Sequence, residues 1–356
     1  MERFIEFANT SSFRRELIAR VDAYFIEHGK KKRDNISLYI KALIILAWTG
    51  ASYYLLVFKA DSVLEALLLS LSLGLALAGI GFNIQHDGNH SGFSKKSWVN
   101  RIAGSTTDYF LGASSFIWKQ KHNIRHHPFT NIPEGDSDIY SSFLMRVTPD
   151  QKHYKIHRYQ NFYLWILYCL VHLRYVYSDF QQLISGTISK WKMPRPKGWE
   201  LATFIMGKFV FFSFTLVIPS FLHPIWQVLL VYLLVSAIIS LIFIVITQLA
   251  HMGSEVEHLD VTKVIPNEWA VHQLQTTADF AQDNKVLTWY VGGLNYQVEH
   301  HLFTDVSHVH YPALAKIIKE VSEEFGVRYT VHKSFIDALR SHYRFLRDMG
   351  RQGLRV

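Results

Sequence analysis

Histidine is the residue in this chain whose number and spacing point to chemistry: 19 of 356 residues are histidine. Three clusters stand out, His86-Asp-Gly-Asn-His90, His122-Asn-Ile-Arg-His126-His127 and Gln297-Val-Glu-His300-His301. Residues three and four apart share a helix face, so each cluster can aim two or more side chains at one point. At this histidine content a pattern of the HxxxHH type is expected by chance about 0.05 times per chain. Three related clusters are therefore no accident of composition. His251 closes the apolar run ITQLAH and is an eighth candidate ligand, although a histidine there also suits the negative end of a helix dipole. Eight imidazoles exceed one four-coordinate zinc site and suit two metals with open positions. Imidazole by itself does not choose among iron, copper, nickel and zinc. HExxH is absent, which removes the usual zinc-protease reading. Glu255 and His258 have the Glu-x-x-His spacing of carboxylate bundles, but they stand in a polar stretch and read as accidental.

Elements able to hold these clusters are legible in the apolar runs. Hydrophobic residues make up 49% of the chain, charged ones 19%, and the apolar residues are gathered in long stretches. Four of these, residues 38–58, 62–84, 201–222 and 225–249, are long enough to cross a bilayer, which takes about 20 helical residues. The links KADS and LHP are so short that each pair of spans is expected to form a hairpin. Basic residues crowd before the first span (Lys30, Lys31, Lys32, Arg33) and between the second and third, while the outer links offer Lys59. By the positive-inside rule both termini and the central segment are cytoplasmic. Two crossings separate the first two clusters from the third, so all three return to the same face. Lys208, inside the third span, is expected to snorkel or to mark a span that starts later. Residues 159–180 are apolar but broken by Gln160, His172, Arg174 and Asp179, and read as an interfacial or buried helix.

The net charge of +8 fits loops near anionic lipid, and no nucleic-acid module is recognisable. One cysteine, Cys169, allows neither an internal disulfide nor a cysteine-ligated iron–sulfur cluster, so electrons must come from a partner. Residues 1–37 read as an amphipathic cytoplasmic segment lying on the membrane rather than a cleaved signal. Residues 311–356, with Leu314, Ile317, Ile318 and Val321 at helical spacing, read as a helical cap. The expectation is an all-α integral membrane protein. Four transmembrane helices form two hairpins, and a cytoplasmic helical cap carries the metal site, with the membrane domain over 38–310.

The segments FNIQHDGNHSGFS, WKQKHNIRHHPFTNIPEGDSDI, FIVITQLAH, VHQLQTTADFA and GGLNYQVEHHLF resemble the successive signatures of the membrane fatty acid desaturases. The likeness runs from about Phe82 to Leu314. It implies a diiron site with ligands at His86, His90, His122, His126, His127, His251, His300 and His301, and dioxygen as co-substrate. Gln297 stands where stearoyl-CoA enzymes have histidine, which is similar to front-end desaturases. Those insert a double bond between an existing one and the carboxyl end. Gln297, Asp87, Thr247, His272 and Asn295 are further candidates as ligands or hydrogen-bonded supports, and Asn89, Asp136 and Asp138 as supports. His308 and His310 read as structural. The fused cytochrome domain of many eukaryotic relatives, with its His-Pro-Gly-Gly motif, has no counterpart here. The resemblance thus implies an external donor of ferredoxin, flavodoxin or cytochrome type, acting on a fatty acyl-CoA or acyl-lipid. A lipid or alkane hydroxylase would use the same ligands. A metal transporter or storage protein is the non-enzyme rival, although its ligands would line a pore within the spans.

Overall fold

A computed structural model describes residues 6–8, 12–139, 143–149, 151–258, 264–265 and 267–351. The extreme ends of the expected N- and C-terminal segments lie outside the described residues. Backbone contacts group the chain into two units. The first comprises Met1–Arg33, Lys121–Leu164 and Ile246–Val356, the second Asp34–Gln120 and Trp165–Val245.

In the second unit, α2 (Ile36–Phe58) follows the short N-terminal helix α1 (Ser12–Glu27) of the first. Next comes α3 (Val63–Asn89), the second long apolar helix. Ser62 starts α3 with a capping box: its Oγ accepts from the Glu65 N–H at 3.2 Å, and Glu65 Oε2 accepts from the Ser62 N–H at 3.1 Å. Such reciprocal caps satisfy two amides that a helix start leaves without partners. α2 packs beside α3 through Trp48 Nε1 donating to Ser72 Oγ at 2.9 Å and the Ser52–Ser72 hydroxyl pair at 2.8 Å. Polar contacts of this kind hold helices together where lipid provides no hydrophobic drive. A Cβ on Gly81 would lie 2.0 Å from the Phe243 ring, so any larger side chain there forces the two apart.

The unit continues with α4 (Ser97–Phe110), α5 (Ser115–Lys121), whose last residue lies in the first unit, α6 (Gln160–Tyr168), which begins there, and α7 (Val171–Ser185). Two-stranded β2 (Thr187–Ile188) and β3 (Trp191–Lys192) pair antiparallel. α8 (Trp199–Ser220) and α9 (Ile225–His251) are the third and fourth apolar helices long enough to cross a membrane. The expected span ends are thus met within a few residues. Residues 159–180 form no fifth such helix: the chain breaks between α6 and α7 at Cys169 and Leu170.

Lys208 corrects the expectation that it snorkels. It is buried, and its Nζ donates to Asp179 Oδ2 at 2.7 Å and to the carbonyl of Gly112. An ion pair with added hydrogen bonds is what a charge needs when it leaves water.

An apolar core cluster lies in the first unit. α10 (Trp269–Thr276), α12 (Gln297–Leu302) and α13 (Tyr311–Glu324) contribute Ala270, Leu274, Val298, Leu314, Ile318 and Val321, and α1 adds Phe13, Leu17, Val21 and Phe25. The segment ahead of the spans is helical as expected, but its apolar stripe is covered by protein rather than left to lie on a membrane. Spacing alone cannot tell the two, since a stripe at four-residue intervals suits either surface. Burying each of these large side chains contributes about 1.5–3 kcal/mol. Parallel pairs β1 (Glu6–Phe7) with β4 (Val264–Ile265) and β5 (Ala278–Phe280) with β6 (Thr330–His332) stitch distant segments, with α11 (Lys285–Tyr290) between β5 and α12. α14 (Phe335–Arg351) closes the described chain, burying Ala338, His342, Phe345 and Leu346.

Candidate metal centre

The second cluster sits in a π-turn, His122–His126, where the His127 N–H donates to the His122 carbonyl at 3.0 Å. In a regular α-helix His127 would be rotated about 140° from His122. The wider turn brings it back beside His122, with Nε2 atoms 3.1 Å apart. The same turn stacks His122 on His126, ring centroids 5.2 Å apart. A second π-turn, Gly81–Gln85, precedes His86 in α3. There, in the second unit, the His86 and His90 rings stand 4.8 Å apart, with Trp118 edge-on to both.

In the first unit three elements bring His126, His251 and His301 together. Ring centroids are 4.7, 4.8 and 5.0 Å apart, and possible ligand atoms all lie within 4.8 Å of one another. All three rings are buried. Each meets an acceptor at Nδ1: Asp136 Oδ2 at 3.0 Å for His126, the Thr276 carbonyl at 3.4 Å for His251, and Gln273 Oε1 at 2.8 Å for His301. An acceptor at Nδ1 fixes the proton there and makes Nε2 the metal-facing nitrogen. Burial disfavours a charged His126, but Asp136, aided by Asp138, outweighs it and pushes the ring up to about 9.

A second group converges nearby in the same unit. His127 Nε2 lies 3.1 Å from His122 Nε2 and 3.0 Å from His300 Nε2, while His300 Nδ1 meets the Tyr311 hydroxyl at 3.2 Å. Separations of about 3 Å are the ligand-to-ligand edges of a metal with nitrogen bonds of about 2.0–2.1 Å. Donor type, tautomer and spacing thus fit transition-metal ions. Gln297 is buried with Nε2 3.4 Å from His251 Nε2, and its Oε1 has no hydrogen-bond partner among the described residues. It stands beside the trio as an amide able to complete it.

Other expected residues divide. Asp136 supports His126 directly. His272 holds the backbone instead, with Nε2 2.9 Å from the Thr130 carbonyl, and burial pushes it down to about 4. Asn295 donates to the Phe280 and Ala281 carbonyls and to Thr288, a structural tie between β5 and α11. Thr247 lies one turn before His251 on α9, and Asp87 is buried in the second unit. His310 accepts a structural role, bonding the Lys31 carbonyl. Glu255 contacts Ser341 while His258 stacks on Phe345, so their spacing builds no site.

Spacing gave no signal for Gln273, Thr130, Tyr311 or the group behind α12. There Asp279 Oδ1 accepts from the Val298 N–H at 2.9 Å, and the Tyr329 hydroxyl bridges Asp279 and Glu299 at 2.6 and 2.8 Å. Burial first, and then Asp279, hold Glu299 well above the usual carboxylate range, so this pair keeps a proton.

The family model for fatty acid desaturase matches residues 62–333. The chain is 38% identical over 352 residues to an sn-1 linoleoyl-lipid 6-desaturase of Arthrospira platensis, covering 97% of this chain and 94% of that one. It is 39% identical over 352 residues to the protein of the same name in Synechocystis sp., covering 98% of each. An acyl-lipid (8-3)-desaturase of Physcomitrium patens is 34% identical over 93% of this chain and 70% of its own length.

Proposed function

The chain belongs to the fatty acid desaturase family, and from that premise we propose that it inserts a cis double bond into a long-chain acyl group of a membrane lipid, on the carboxyl side of an existing double bond. The observation that carries this reading is the near end-to-end similarity to two relatives named as linoleoyl-lipid 6-desaturases. Gln297, at the head of the third cluster, supports the front-end placement.

The metal ligands in this reading are His86, His90, His122, His126, His127, His251, His300 and His301. For the six in the first unit the geometry above supports it, and for His86 and His90 the motif spacing does. Two iron ions bound there, with dioxygen and two electrons and two protons from outside, supply the oxidising power that takes two hydrogens from an unactivated methylene pair and releases two waters. The chain itself must do the rest. Asp136, Gln273, the Thr276 carbonyl and Tyr311 hold four imidazoles in one orientation, so no reorganisation is needed when a cation binds. Burial of the His126, His127, His251, His300 and His301 rings excludes water that would quench a strong oxidant. Lone Cys169 builds no redox cluster, so an external carrier of ferredoxin, flavodoxin or cytochrome type must deliver electrons singly. In this reading residues 38–310 form the catalytic membrane domain, and both termini and the metal ligands face the cytoplasm.

Expression with a competent donor, feeding of saturated, monounsaturated and linoleoyl substrates, and location of new double bonds by mass spectrometry tests it. A new bond on the carboxyl side of linoleoyl unsaturation is expected. Hydroxylated products without alkenes would move the chain to the hydroxylase reading, and desaturation of saturated chains alone would remove the front-end placement.

A further inference from the structure

We propose that Asn131 is a positioning residue that fixes His126 and His251 relative to each other, an inference that rests on the metal assignment above. Asn131 follows the second cluster by four residues, is fully buried, and has φ of 58°. Few residues other than glycine adopt that left-handed conformation, and asparagine is the one that tolerates it best. A backbone held in such a region by its surroundings is where function is found more often than elsewhere.

Its contacts show what is held. Nδ2 lies 2.9 Å from the carbonyl of His251 and 3.3 Å from that of Thr276, the last residues of α9 and α10. It also lies 3.2 Å from the Glu257 carbonyl. Final carbonyls of a helix have no intrahelical partner, so one side-chain amide serves the C-termini of two helices, its two hydrogens shared over three acceptors. The Thr276 carbonyl is the same atom that meets His251 Nδ1. From its other side, the Asn131 backbone N–H donates to Asp136 Oδ2 at 3.0 Å, the oxygen that accepts from His126 Nδ1. One residue thus reaches the His126 ring through a carboxylate and the His251 ring through two carbonyls. Its backbone conformation decides whether both limbs can be made at once.

The test uses the full chain in lipid nanodiscs, stripped of metal and titrated with cobalt(II), which imidazole sites bind and whose visible absorption reports ligand geometry. N131G keeps the positive φ without strain and removes the amide. N131D also tolerates the conformation but turns an acceptor towards carbonyl acceptors. Wild type is expected to bind two cobalt ions. In N131G one of the two should bind 10- to 100-fold more weakly with an altered absorption band, the other remaining as in wild type. N131D should be weaker than N131G at the same site. Melting of the metal-free N131G protein close to wild type would separate this from general loosening. Wild-type affinity and spectrum in N131G overturn the proposal, and so does equal weakening of both sites in step with a lower melting temperature. Failure of both variants to fold would make Asn131 a folding residue and overturn it too. No cobalt binding by wild type would sink the metal assignment itself, whatever Asn131 does.

Discussion

Both units bury ionisable groups, and one group from each shows two opposite ways to close them. In the second, Lys208 meets Asp179 at 2.7 Å and lies over the rings of Phe180 and Phe204 at 5.0 and 5.4 Å. Neighbouring Asp108 is pushed up to about 7, by burial first. Charge there is cancelled inside the unit. In the first unit, the Nδ1 atoms of four imidazoles meet Asp136, Gln273, the Thr276 carbonyl and Tyr311. Their inner nitrogens face one another. A buried charge paired with its opposite is a structural pin, whereas a set of imidazole nitrogens that converge on one another is a binding site, because a cation held there bonds several of them at once.

The comparison is most easily broken at His301. Replacing it by alanine is expected to abolish product formation and to lower bound iron, while the protein still inserts, since the apolar helices that drive insertion are untouched. Product by mass spectrometry and iron per folded chain are the measurements. Normal activity would remove His301 from the ligand set and leave the inner nitrogens without a purpose.

On the structural side, Lys208→Met strands Asp179 in a buried setting. Breaking one partner of such a pair typically costs about 3–5 kcal/mol. A lower melting temperature with unchanged iron per folded chain is expected. Loss of iron at wild-type stability would show that the second unit's charges also serve the metals.

Gln297→Ala sharpens the line between ligand and support. Removal of a hydrogen-bonded neighbour of a metal site typically costs about 10- to 100-fold, so a decrease of that size with iron retained is expected. Complete loss of activity together with iron would promote the amide to a ligand.

Much of this was legible in the sequence because it is local. Apolar runs placed all four long helices, and i, i+4 spacing placed the imidazoles. Contacts that orient them are not local: Gln273 precedes His301 by 28 residues, and Asn131 precedes His251 by 120. No periodicity in the chain encodes such pairs. The π-turn at His122 was hidden for a different reason, since the HxxxHH spacing satisfies an α-helix at its first and second histidines and only the wider turn recruits the third. Lys208 read as a charge in an apolar span because Asp179, 29 residues away, is brought to it only by folding. The stripe of α1 was visible, but its covering was not, since protein and membrane surfaces reward the same pattern.

The smallest effect tests whether the outward contacts in the first unit include groups that serve structure alone. His342, on α14, is buried and has Nδ1 2.7 Å from the Met252 carbonyl, and burial pushes it down to about 4 against an ordinary value near 6.5. In the folded chain the ring stays neutral over that window, whereas the unfolded chain takes up a proton. Unfolding therefore becomes easier as pH falls from about 6.5 towards 4, by up to about 1.4 kcal/mol per pH unit for one proton. Above pH 7 the two states bind the same number and the contribution is flat. His342→Gln can keep a donor to the Met252 carbonyl without titrating. Its melting temperature should match wild type within a few degrees at pH 7.5 and fall less steeply on acidification, with cobalt(II) affinity unchanged at neutral pH. Parallel pH profiles for the two proteins would show that His342 is not the proton acceptor, and weakened cobalt binding would place it among the residues that serve the metals.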